Sequence, residues 1–159
     1  MLFRSGAALK LISLEAIDVN KGNDPPIVFA LNKDGKILKA LMSRPDLDIN
    51  KLSTAKKTPF IHAAERGYLR AVQILSESPR VDVNALITGT TALHLAIRNH
   101  DAEMVRFLLT VRNIDVNIKD KMGRTPLKLA KSERTFFSFD LDAKAGREIV
   151  RLLKAAGAK

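Results

Sequence analysis

The chain has 159 residues, 46% hydrophobic and 28% charged, with no cysteine; this excludes a disulfide scaffold and any thiolate-ligated zinc site, and it suits a folded core rather than a disordered chain. The formal net charge of +10 divides as +1 over residues 1–50, +4 over 51–100 and +5 over 101–159, a field that attracts acidic proteins, nucleic acid or anionic membranes and says nothing about fold. No run approaches the ~18 consecutive apolar residues of a membrane span, so no membrane insertion is expected.

The N-terminal segment starts with Arg4 and an apolar stretch, but Lys10, Ser13 and Glu15 interrupt it and no small-residue cleavage site follows. It therefore counts as structure and not as a signal peptide. Leu9, Leu11, Ile12 and Leu14 have the spacing of the second helix of a truncated unit, which assigns residues 1–17 as an N-terminal cap. An Asp-Val-Asn or Asp-Ile-Asn triplet then begins at Asp18, Asp48, Asp82 and Asp115, at intervals of 30, 34 and 33 residues. A period near 33 marks a solenoid whose units bury their apolar faces only against neighbours.

In the first unit, 18–47, only four residues separate Asn20 from Pro25, against seven between Asn50 and Thr58 in the second, so its loop should be stunted. The second unit, 48–81, carries Thr58-Pro59-Phe60-Ile61-His62-Ala63-Ala64 and then Ala71, Val72, Ile74 and Leu75 at helical spacing. The third, 82–114, repeats the pattern as Gly89-Thr90-Thr91-Ala92-Leu93-His94-Leu95-Ala96, followed by Met104, Val105, Phe107, Leu108 and Leu109. The fourth, 115–159, reads Gly123-Arg124-Thr125-Pro126-Leu127-Lys128-Leu129-Ala130. Thr58, Thr91 and Thr125 are predicted helix caps, with Pro59 and Pro126 at the first helical position, where no amide donor is missed. Ala63, Ala96 and Ala130 let neighbouring helices approach, and Leu95 should be buried between consecutive first helices. Gly67 ends the first helix of the second unit; His100 holds that place in the third, where a positive φ would strain it and alter the helix end. The last unit spans 19 residues from Ala130 to Ile149, where the third spans eight from Ala96 to Met104. The insertion, about 133–146, contains Phe136, Phe137, Phe139 and Leu141, which either cap the array or form a hydrophobic binding patch.

These motifs and their common phase resemble the ankyrin-repeat family over essentially the whole chain. The resemblance implies an all-α solenoid of stacked helix-turn-helix units with hairpin-like finger loops, and a partner bound across the concave side by finger tips and first-helix ends. Carried to this sequence, the finger positions are Leu52, Thr54, Lys56, Lys57, Leu86, Thr88, Thr90, Lys119, Lys121, Met122 and Arg124, and the first-helix positions are Glu65, Arg66, Arg98, Asn99, Lys131 and Ser132. Basic residues dominate, which points to an acidic segment of another protein as partner. Nucleic acid is the rival, weakened by the lack of aromatic stacking platforms among these positions. The chain is also similar to ankyrin proteins that intracellular bacteria deliver into host cells. An intracellular, monomeric protein is the expectation, with secretion into a host without a cleavable signal as the variant.

Chemistry is thin elsewhere. His94 lies at the family's Thr-Pro-Leu-His position, which implies structural hydrogen bonds to neighbouring backbone. His62 stands where the third and fourth units have Leu95 and Leu129, and is expected as a buried, satisfied side chain. Three scattered histidines without Cys make no metal site, and no nucleophile elbow, phosphate loop or dinucleotide fingerprint is present, so no cofactor and no catalysis are expected.

Overall fold

The computed structural model describes residues 9, 12, 18–32, 35–136 and 140–159, with side chains except at 133–136 and 140–143. Eight helices are found among the described residues: α1 (Pro26–Ala30), α2 (Gly35–Met42), α3 (Pro59–Glu65), α4 (Leu69–Ser76), α5 (Ala92–Arg98), α6 (Ala102–Leu108), α7 (Pro126–Phe136) and α8 (Asp140–Ala155). None of the short ones would hold its shape alone. They pair antiparallel as α1/α2, α3/α4, α5/α6 and α7/α8, and the pairs stack so that α1, α3, α5 and α7 form one layer and α2, α4, α6 and α8 contact one another in pairs in the other. The all-α solenoid that the ankyrin-repeat resemblance implies is the architecture found among the described residues.

Each first helix starts as its sequence dictates. The hydroxyl oxygen of Thr58 accepts the Ile61 amide, that of Thr91 the His94 amide and that of Thr125 the Lys128 amide. Asp101 caps α6 by accepting the Met104 amide at 2.9 Å. Between the layers runs a single apolar core in which Ile27, Leu38, Phe60, Ile74, Leu93, Ile97, Met104, Leu108, Leu129, Ile149 and Leu153 are fully buried. Ala63 and Ala96 have no exposed surface, which is what close helix approach requires. Leu95 forms a small satellite cluster with Ile61 of the preceding first helix and with Ala85.

Two details differ from expectation. His100 adopts a φ of 54°, yet the helix end is unchanged: Asp101 donates to the Ala96 carbonyl at 3.0 Å as Tyr68 donates to Ala63 at 2.9 Å. The surrounding backbone bonds hold the left-handed residue in place. The inserted residues of the last unit lengthen helices rather than a loop, since α7 has 11 residues and α8 has 16. The side chains of Phe136, Phe137, Phe139 and Leu141 lie outside the described ones. Most of the expected cap also falls outside; of that cap, Leu9 and Ile12 are helical, and the Ile12 carbonyl accepts the Arg44 guanidinium at 3.0 Å.

The triplets join the units. In each, the Asp carboxylate accepts the amide of the Asn two residues on, at 2.8 to 3.1 Å. The Asn side chain then reaches the next unit. Asn20 accepts the Asp48 amide and donates to the Asp46 carbonyl; Asn50 does the same with Asp82 and Arg80, and Asn84 with Asp115 and Asn113. In the last unit, Asn117 accepts the Lys159 amide at 2.8 Å.

Candidate partner-binding face

The finger loops and the C-terminal ends of the first helices bring together most of the residues named from the sequence. In the third finger Ile87 and Thr90 exchange two backbone hydrogen bonds, a minimal hairpin, and Thr88 sits at its bend with a φ of 51°. Neighbouring fingers are tied: the Lys121 amide donates to the Gly89 carbonyl at 2.9 Å, and Asp24 accepts both the amide and the hydroxyl of Thr54. Those bonds from Thr54 hold the Asp24 carboxyl below its usual range. The first finger is short, as its spacing predicted.

Charge on this face is smaller than a residue count suggests. Lys57 is bound by both oxygens of Glu65, at 2.6 and 2.8 Å. Arg124 is locked on Asp120 at 2.8 Å. Burial would raise the Asp120 carboxyl, but the Arg124 amide and guanidinium and the Met122 amide outweigh it and leave it lowered. Asn99 donates to the Glu65 carbonyl at 2.8 Å and thus joins α3 to α5. Lys56, Arg66, Arg98 and Lys121 are exposed, with no side-chain ion pair among the described residues. Lys131 is also exposed, and counted from the capping threonines it takes the place of the buried Ile97 of the third unit.

Apolar groups stand out beside these cations. Leu52, Leu86 and Met122 on three fingers are 46%, 49% and 68% exposed, and Phe29 at the end of α1 is 64% exposed. Phe29, Thr54, His62, Arg66 and Tyr68 line one groove of about 480 Å³ between the first two units. Sequence reasoning missed Phe29. Its signal was the stunted finger: Leu95, at the same helical place, is covered by Ala85 and Ile87 of its own finger, and Phe29 has no such cover.

His62 is half-buried rather than a core residue, and its Nδ1 has no hydrogen-bond partner among the described residues. Leu95 packs on Ala85 and Ile87; in the second unit Lys51 and Ser53 hold those two places, and the buried Ser53 hydroxyl is unpartnered too. Burial, and then Arg66, lowers the His62 pKa. His94 is 1% exposed, with Nδ1 2.8 Å from the Thr91 hydroxyl and Nε2 3.2 Å from the Arg124 carbonyl. A carbonyl only accepts, so the network assigns the proton to Nε2 and has the Thr91 hydroxyl donate to Nδ1. This imidazole is a structural bridge between units, with its pKa lowered mainly by burial. No group of three or more His, Asp or Glu poised for a metal occurs among the described residues.

A family model for ankyrin repeats, in three copies, matches residues 27–120 and 80–159. The chain belongs to the ankyrin-repeat family. It is 30% identical to a putative ankyrin repeat protein YahD of Escherichia coli K12, covering 99% of this chain and 77% of that protein. Human rabankyrin-5 is 32% identical over 87% of this ankyrin chain, which spans only 11% of that protein. Among solved structures, an ankyrin repeat domain from Acinetobacter baumannii AYE superposes with a TM-score of 0.78 at 34% identity, covering 96% of this chain and 76% of that one. Ankyrin arrays are in general protein–protein interaction modules. No helix among the described residues is long and apolar enough to cross a membrane.

Proposed function

We propose that this ankyrin array is a non-catalytic, intracellular scaffold that binds an acidic segment of another protein across its finger side. The observation that carries the reading is the groove in which exposed Phe29 and the unpaired Arg66 meet. An aromatic anchor beside a cation is the composition of an interface centre, where aromatic residues and Arg are enriched. Leu52, Leu86 and Met122 extend the apolar row over the later fingers, with Lys56, Arg98 and Lys121 at its rim. Lys57 and Arg124 are already neutralised and serve to stiffen the fingers.

The test is affinity capture of partners with mass spectrometry, followed by binding kinetics of a captured partner to the parent and to two variants. Arg66→Glu with Arg98→Glu should slow association several-fold at low salt, with the difference shrinking as salt rises. Phe29→Ala should act on dissociation instead, by about tenfold, as loss of a central anchor does. If both variants keep a native circular dichroism spectrum and bind as the parent does, the finger side is not the binding face.

A further inference from the structure

The outer flank of the last unit carries a second surface of different chemistry. Two bonds identify the places of a unit that face the unit after it. His94 of α5 reaches the Arg124 carbonyl, and Arg106 of α6 pairs with Glu148 on α8. Ile97 of α5 is 1% exposed in the core, and Ala102 and Leu109, four residues before and three after Arg106 and so on its side of the helix, pack against the core. Aligning Thr125 with Thr91 and Ile149 with Met104 shows what the last unit puts there. Lys128 replaces His94, Lys131 replaces Ile97, Arg147 replaces Ala102, Arg151 holds the place of Arg106, and Lys154 replaces Leu109. All five are exposed, as is Lys144 one turn before Arg147.

A terminal unit needs a polar outer face for solubility, and mixed signs would serve. Here every described side chain at these places is a cation. Beneath another repeat, Lys128 and Lys131 would take the places of the buried His94 and Ile97 at large cost, whereas Arg151, like Arg106, would still reach solvent; the flank therefore suits water or an anion. Among the described side chains, the exposed large apolar ones, Phe29, Leu52, Leu86 and Met122, all lie on α1 and the fingers, so the described part of the flank lacks the apolar centre that a protein interface uses. A phosphodiester backbone asks for cations and little else. From Lys144 to Lys154 the stripe runs about 15 Å along a rigid helix, the axial rise of about four phosphates of one strand.

We infer that the α7–α8 flank is a docking surface for the phosphate backbone of a nucleic acid duplex, held without base reading. Lys128, Arg147, Arg151 and Lys154 supply the contacts. This site is separate from the finger side and does not depend on the protein-binding reading.

The experiment is fluorescence anisotropy of the full chain against a fluorescein-labelled 20-bp DNA duplex from 50 to 200 mM salt. Four released counterion sites give a log–log salt slope near −3.6 and an affinity loss of about 100-fold across that range. Changing Lys128, Arg147, Arg151 and Lys154 to Gln should flatten the slope to near zero and weaken low-salt binding by 10-fold or more. Changing Lys56, Arg66, Arg98 and Lys121 to Gln removes equal charge from the finger side and should leave affinity within about threefold. If the flank quadruple variant loses its circular dichroism signature, the Arg147→Gln, Arg151→Gln double variant replaces it, with a slope reduced by about two. No binding at 50 mM salt, equal losses in the two charge-matched variants, or displacement of the duplex by poly-glutamate or phosphatidylserine vesicles at matched charge would each overturn the inference.

Discussion

The residue two before the capping threonine has a positive φ in three consecutive fingers: Lys56 at 52°, Gly89 at 73° and Gly123 at 74°. One backbone place thus offers three neighbourhoods and a signed series of substitutions. A left-handed conformation costs an L-residue about 1–2 kcal/mol, while removing a glycine regains about 0.4–1 kcal/mol of unfolded-chain entropy. At Gly123 a new Cβ meets nothing within 4 Å, so Gly123→Ala should lose about 0.5–1 kcal/mol. At Gly89 the same Cβ would lie 2.5 Å from the Lys121 Cβ and 3.1 and 3.2 Å from its Cα and N. The fourth finger must then retreat and weaken the Lys121–Gly89 hydrogen bond, adding about 1 kcal/mol and bringing the loss to about 2 kcal/mol. Lys56→Gly runs the other way and should gain about 0.5–1 kcal/mol. Urea denaturation followed by far-ultraviolet circular dichroism measures all three, and heating should move midpoints by about 2–4 °C per kcal/mol. Equal losses at Gly89 and Gly123 would refute the finger contact, and destabilisation by Lys56→Gly would refute the strain.

Other consequences are as direct. Leu95→Ala should cost about 2–3 kcal/mol, the lower part of the range for buried leucine, because its cluster is only Ile61, Ala85 and Ile87; a denaturation loss under ~0.5 kcal/mol would place it outside the seam. Asn84→Ala removes the bonds to the Asp115 amide and Asn113 carbonyl and should lose about 1–2 kcal/mol, with faster hydrogen exchange at Asp115. His62 and His94 both have folded pKa values lowered from about 6.5. The unfolded chain then binds more protons as pH falls through 6.5, so stability is full above that value and declines below it, seen as a lower urea midpoint at pH 5 than at pH 7.5. His62→Leu should reduce that decline and stabilise the array at pH 7 by about 1 kcal/mol, since it removes an unpartnered buried nitrogen.

Helix starts and interface alanines were legible in the sequence because each depends on a local motif repeated in phase, and the structural role of His94 followed from the family resemblance; that it bridges two units did not. The free charge of the binding face was not. Lys57 and Glu65 are eight residues apart, on a finger and a helix end, and only the folded turn brings their heads together. Asp120 precedes Arg124 by four residues, a spacing that hints at a pair only once both are known to share a finger. Lys131, named with the groove residues, takes the place of Ile97, a core residue of the third unit, which the sequence count alone did not bring out. The triplets announced turns, but their asparagines gave no sign that the side chain would cross to the next unit, because a single unit contains only half of that bond.

That half-bond has an evolutionary corollary. The first three triplets each present an acceptor and a donor forwards on the Asn, and the last three each receive them at the Asp amide and at the carbonyl two residues before it. The joint is therefore identical wherever a unit begins with Asp-x-Asn, and a stretch of coding sequence from one triplet to the next can be duplicated or excised in frame with no new seam to invent. Changes in array length are thereby uncoupled from changes in the side chains that meet a partner.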